Sequence, residues 1–115
     1  MAFFDPLTHL PNRRALIERV AQALIAGESH GKTLAVLFVD MDNFKDINDA
    51  LGHQLGDRIL METAQRLRRC MRSDDTVARI GSDEFAVVVK NLDLNVETAK
   101  AEVKVVAAKN PHHPE

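Results

Sequence analysis

Two adjacent carboxylates, Asp83 and Glu84, stand in the stretch Arg79-Ile80-Gly81-Ser82-Asp83-Glu84-Phe85, which a glycine leads and the apolar run Ala86-Val87-Val88-Val89 follows. Apolar hairpins keep acids away from their ends, so this tip is either a solvated turn or a site for a metal and a phosphate. Another carboxylate, Asp40, closes the apolar run Leu34-Ala35-Val36-Leu37-Phe38-Val39. The carboxyl end of a buried strand is where open α/β sheets commonly bind ligands. Alone, Asp40 reads equally well as the cap of the helix that follows.

If the two strands are neighbours, Asp40 and Asp83 converge on one site. Convergent carboxylates suit Mg²⁺ (or Mn²⁺), hard cations that take a few carboxylates plus phosphate oxygens and water. Such a pair would hold ions that neutralise a triphosphate, polarise its α-phosphorus and help ionise an attacking hydroxyl. Amides at the start of the helix turn from Asn43 to Lys45 would receive the β- and γ-phosphates. Two rival motifs fail. Gly27-Glu28-Ser29-His30-Gly31-Lys32-Thr33 is one residue short of a P-loop and precedes a strand instead of opening a helix. The acid-rich run from Asp40 to Asp49 has Phe44 and Lys45 where a calcium loop needs an oxygen ligand and a glycine.

The elements that must position these groups are legible from periodicity. Helical spacing of Leu16, Ile17, Val20, Ala21, Leu24 and Ile25 predicts a helix over Arg13 to Ala26, and the continuous run Leu34 to Val39 predicts a strand covered on both faces. A short helix follows from Phe44 to Leu51, stopped by Gly52, and a longer one opens at Gly56-Asp57 and runs through Arg72. Thr76 to Ile80 and Phe85 to Val89 form a hairpin around residues 81 to 84; Val96 to Ala108 has helical character, and residues 110–115, with two prolines, read as a frayed tail. The fold class is therefore α/β: a mixed sheet with helices on one side and the Leu34 to Val39 strand at its centre. Only three strands are visible, which leaves an apolar edge for a further element to cover.

The chain has 115 residues, 45% of them apolar, enough for a single domain and not for two. A net charge of -2 and a pI near 6.2 give no general attraction to nucleic acid or to anionic membranes, so an anionic ligand needs a local site. The lone Cys70 cannot form an internal disulfide and suits a reducing, cytoplasmic setting, and no apolar run approaches the length of a membrane span.

Four separated motifs, in order, resemble the GGDEF domain of bacterial diguanylate cyclases: Asp5-Pro6-Leu7-Thr8-His9-Leu10-Pro11-Asn12-Arg13, Phe44-Lys45-Asp46-Ile47-Asn48-Asp49, Arg72-Ser73-Asp74-Asp75 and Gly81-Ser82-Asp83-Glu84-Phe85. The resemblance runs without a gap from Asp5 to Val89. It implies a palm-like fold, similar to nucleotidyl cyclases and ferredoxin-like sheets, that joins two GTP into cyclic di-GMP in a face-to-face homodimer. It also implies metal ligands at Asp40, Asp83, Glu84 and the carbonyl of Met41, with Asp83 accepting the 3′-hydroxyl proton. Substrate contacts would come from Phe44, Lys45, Gly81 and Ser82, with Asn48 and Asp57 on the guanine edge, although Asp57 alone also fits a helix N-cap. Arg72 and Asp75 would form an inhibitory site for cyclic di-GMP, against the plainer reading of a solvated helix end. Residues 1–12 resemble the family's wide turn.

Two departures qualify the resemblance. Ser82 replaces the second glycine of the signature; if that position needs positive φ, serine costs on the order of 1 kcal/mol and reduces activity while the acids still hold metal. The family's later strands, and the helix whose lysine and arginine grip the phosphates, have no counterpart in this sequence. A partial domain, weak or inactive in turnover, is the expectation.

Overall fold

The structure, a computed structural model, describes residues 2–93. The helix expected over Val96 to Ala108 and the tail at 110–115 lie outside the described residues. Six elements follow in order: α1 (Arg13–Glu28), β1 (Lys32–Asp40), α2 (Phe44–Leu51), α3 (His53–Cys70), β2 (Thr76–Arg79) and β3 (Glu84–Asp93). Asn12 starts α1 by accepting a hydrogen bond from the Ala15 amide at 3.0 Å, which satisfies one of the amides left open at a helix start.

One residue, Gly52, separates α2 from α3. Its φ of 93° is open to glycine at little cost, and its carbonyl accepts the Gly56 amide at 3.2 Å. The chain therefore turns at Gly52 and starts α3 at His53, ahead of the expected start at Gly56-Asp57. Asp57 is inside the helix and does not cap it. Asp40 is not a cap either, because Asn43 takes that position in front of α2, in the left-handed conformation.

The sheet order is β1-β3-β2 and both pairings are antiparallel. Among the described residues β3 holds the central position that the sequence predicts for β1. The short turn at residues 80–83 forces β2 against one edge of β3, and β1 takes the other edge. Phe85 through Val89 of β3 are buried, whereas Phe38 of β1 is 70% exposed. Two unbroken apolar runs look alike to a reader of the sequence, and only the pairing ranks them.

Both faces of β3 are apolar, so both are covered. Val77, Phe85, Val87 and Val89 pack with Leu60, Ala64 and Leu67 of α3 and with Phe44 of α2. Ala78, Ala86 and Val88 pack with Leu16 of α1. Helices thus lie on both faces, not on one side as expected, since alternate residues of an all-apolar strand each demand a covering layer.

Candidate functional site

The β1–β3 ladder brings the two acidic positions together. Asp40 and Glu84 are cross-strand partners, and the Met41 amide donates to the Asp83 carbonyl at 3.1 Å, continuing the pairing one step past the strand ends. Four residues singled out in the sequence, Asp40, Met41, Asp83 and Glu84, therefore meet at one end of the sheet. Asp40 and Glu84 are exposed, Met41 is half-buried against the core, and none of the three carboxylates forms an ion pair among the described residues. Like charges directly across a ladder repel. No cationic side chain among the described residues pairs with these acids to offset that cost.

The turn itself is held by backbone. The Glu84 carbonyl accepts from the Ile80 amide at 2.9 Å and from the Gly81 amide at 3.4 Å. A side chain on Gly81 would overlap the Glu84 carboxylate, with its Cβ 3.3 Å from Glu84 Cδ, so the glycine makes room for the acid to fold back over the turn. Ser82 has no positive φ, which removes the left-handed strain expected for serine at this position. All the donors here are hard oxygens. Among the described residues no three His, Cys, Asp or Glu side chains form a preassembled metal cluster. That set fits a cation such as Mg²⁺, which takes one or two carboxylates and fills its shell with water and substrate phosphate.

Just past Met41 in the chain, α2 starts at Phe44 without any side-chain cap, so no capping side chain takes up its first-turn amides. Phe44 is buried and Lys45 exposed. On the same helix, Asn48 carries a buried Oδ1 with no hydrogen-bond partner among the described residues. Asp57, on α3, is exposed.

Arg79, to which sequence reading gave no role, ties this site to the N-terminal turn. Its Nη1 donates to both carboxylate oxygens of Asp5 at 3.1 Å, its Nη2 donates to the Ser82 carbonyl at 2.7 Å, and its amide donates to the Pro11 carbonyl at 3.0 Å. Burial alone would raise the Asp5 carboxyl. The Thr8 amide and hydroxyl, together with the Arg79 guanidinium, outweigh burial and hold Asp5 below the usual carboxylate range. The only sequence signal was an arginine at the end of the otherwise uncharged run Thr76-Val77-Ala78; its partner lies far upstream and no local rule names it.

A family profile described as "Diguanylate cyclase, GGDEF domain" matches residues 2–114. The chain belongs to the GGDEF family. MucR of Pseudomonas aeruginosa, a bifunctional diguanylate cyclase/cyclic di-GMP phosphodiesterase, is 47% identical over 90 residues, which cover 78% of this chain and 13% of that protein. The solved GGDEF domain of TpbB from Pseudomonas aeruginosa is similar with a TM-score of 0.83 and 43% identity, over 92% of this chain and 59% of that one. The GGDEF domain of DgcB from Caulobacter crescentus, solved in complex with c-di-GMP, gives 0.75 and 33%, over 91% of this chain and 62% of that one. The chain thus spans only part of each of these relatives. The profile also extends the likeness beyond Val89, where the motifs legible in the sequence stop.

In this GGDEF domain, Arg72 and Asp75 lie at the other end of the sheet. The Asp75 side chain is fully buried and accepts from the Arg72 amide at 3.1 Å, from Arg72 Nε at 3.3 Å and from Arg72 Nη2 at 3.4 Å. Arg72 Nη2 also reaches the Lys90 carbonyl at 3.3 Å. A cleft of about 500 Å³ opens beside them, lined by Arg19, Arg68, Ser73, Asp74, Asp75 and Lys90 among others. No helix among the described residues is long and apolar enough to cross a membrane.

Proposed function

We propose that this GGDEF domain binds GTP with Mg²⁺ (or Mn²⁺) and, face to face with a second copy, condenses two GTP into cyclic di-GMP. The observation that carries this reading is the cross-strand pairing of Asp40 with Glu84, extended by the Met41–Asp83 backbone bond, in a chain of this family. Asp40, Asp83, Glu84 and the Met41 carbonyl would hold the metal, which when bound neutralises the triphosphate and polarises its α-phosphorus.

The chain's own groups divide the remaining work. Asp83 accepts the proton of the attacking 3′-hydroxyl. The uncapped amides at Phe44 and Lys45 receive the terminal phosphates, with the Lys45 ammonium adding charge. Gly81 and Ser82 leave the turn low beside the nucleotide. Asn48 and Asp57 read the guanine edge, an amide and a carboxylate suiting its mixed acceptor and donor pattern. Arg72, held in place by the buried Asp75 carboxylate, grips cyclic di-GMP as an inhibitor, a reading that rests on the guanidinium's fit to phosphate and agrees with a related GGDEF domain having been solved in complex with c-di-GMP.

Incubating the protein with GTP and Mg²⁺ tests the reading. Cyclic di-GMP forms only slowly, in line with the weak turnover expected of a partial domain, and Asp83→Ala abolishes it. Mg²⁺-dependent GTP binding without product in the parent chain would make the domain a regulatory nucleotide-binding module instead. For the inhibitory site, titration with cyclic di-GMP shows weaker binding in Arg72→Ala, and equal affinity sinks that assignment.

A further inference from the structure

Three cations, Arg19 of α1, Arg68 of α3 and Lys90 of β3, line the cleft of about 500 Å³ beside Arg72, and none of them forms an ion pair among the described residues. The acids of the same cleft are already engaged. Asp75 is held by Arg72, and Asp74 accepts from Asn91 Nδ2 at 3.2 Å. Arg72 borders this space, because its guanidinium is bonded to two of the lining residues, through the Asp75 carboxylate and the Lys90 carbonyl. Unmatched positive charge from three elements therefore gathers in one cleft of a chain whose net charge is -2. Like charges in a concave surface repel one another and focus their field on an anion.

The wall on α1 has a pattern of its own. Arg19, Ala23 and Ala26 follow at i, i+4 and i+7, along one stripe of the helix. The two alanines leave the wall low, and the arginine stands at its end. A cleft of this volume suits a nucleotide-sized ligand and not a single small ion.

We propose that Arg19 and Arg68 form a second phosphate subsite, so that one cyclic dinucleotide is held on this chain by both of its phosphates: the first by Arg72, the second by Arg19 and Arg68, with Lys90 adding charge. This rests on the reading that Arg72 binds cyclic di-GMP. A guanidinium meets phosphate oxygens with two parallel N–H bonds. A cyclic dinucleotide carries its phosphates on opposite sides of its ring, and Arg72 alone meets one of them. The bound ligand then ties α1 to the end of α3.

The test titrates the full chain with cyclic di-GMP by calorimetry, in the parent and in Arg19→Ala, Arg68→Ala, Arg72→Ala and Arg69→Ala, with thermal unfolding of each. Arg69 is the control, since it is exposed, shares the last turn of α3 with Arg68 and is not part of the cleft lining. Arg19→Ala and Arg68→Ala each weaken binding by about tenfold, the scale of one hydrogen bond to a charged group, and Arg69→Ala leaves it unchanged. Without ligand the unfolding temperatures of the Arg19 and Arg68 variants stay level, because both side chains are exposed. If either Arg19→Ala or Arg68→Ala keeps the parent affinity while Arg72→Ala loses binding, the second subsite is overturned and the Arg72 reading stands. An equal loss in Arg69→Ala also overturns it, since general charge and not a local site would then attract the ligand. A parent chain that binds no cyclic di-GMP, or Arg72→Ala with parent affinity, overturns the inhibitory reading itself and the proposal with it.

Discussion

The two ends of the β1–β3 ladder carry similar residues in opposite electrostatic states. At the end where β3 finishes, acids are matched: Asp93 with Lys32, Asp75 with Arg72, and Asp74 with Asn91, whose Nδ2 donates at 3.2 Å. Asn91 reaches Asp74 from a left-handed conformation, next to the register slip between Thr33 and Ala35. At the end where β3 starts, Asp40, Asp83 and Glu84 gather without a cation among the described residues. A matched end contributes to folding. An unmatched end costs folding energy and keeps its charge for a ligand. The contrast predicts that substitutions at the first end damage stability, and those at the second damage chemistry.

The widest separation of the two is expected from Asp40→Asn. On the proposed reading, cyclic di-GMP formation falls by about 100-fold or more, as for loss of a principal charge-stabilising group. Thermal stability stays level or rises, because the repulsion between Asp40 and Glu84 is gone. A clear fall in the unfolding temperature would break the comparison.

Arg79 crosses the divide, since it braces the open end with an ion pair that is itself largely buried, at 15% and 16% side-chain exposure. Arg79→Ala strands Asp5 and frees the Ser82 carbonyl, and denaturant unfolding should show a loss of about 3 kcal/mol. The same pair is sensitive to acid. Because Asp5 titrates below its unfolded value, its contribution is present in full above the ordinary carboxylate range and is lost as pH falls through the depressed folded value. Stability measured downward from about pH 4 should therefore drop more steeply in the parent chain than in Asp5→Asn.

At the matched end, Asp75→Ala removes a buried acceptor from three Arg72 donors and should cost about 2 kcal/mol in the same assay. Lys32→Ala is the smallest effect. The Lys32–Asp93 pair is 39% and 43% exposed, so its removal shifts stability by less than about 1 kcal/mol. A larger loss at Lys32 than at Asp75 would show that burial does not rank these pairs.

Legibility in the sequence follows interaction range. α2 is legible to the residue, because Phe44 to Leu51 ends at a glycine, and the hairpin shows as two apolar runs around a polar tip. The start of α3 lies three residues ahead of its expected place because Gly52, a stop signal for one helix, also serves as the entry to the next. The candidate site is legible as residue types: acids, an amide and an arginine set at family spacing. Its supports are not. Arg79 braces the signature turn through Asp5, and Gly56 accommodates Asn48, through contacts that no periodicity or motif encodes.

What the amino-acid order determined alone was the set of elements and the chemistry available at their ends, because helix and strand periods, glycine stops and carboxylate positions are local properties. Which strand lies at the centre, which faces the helices cover and which charges are neutralised were decided only in three dimensions. β1 and β3 are equally apolar as text, and the turn before β3 gives it two neighbours. Asp75 and Asp83 are equally acidic as text. The first is buried against an arginine, and the second is left half-exposed beside two more acids, where a cation has a reason to bind.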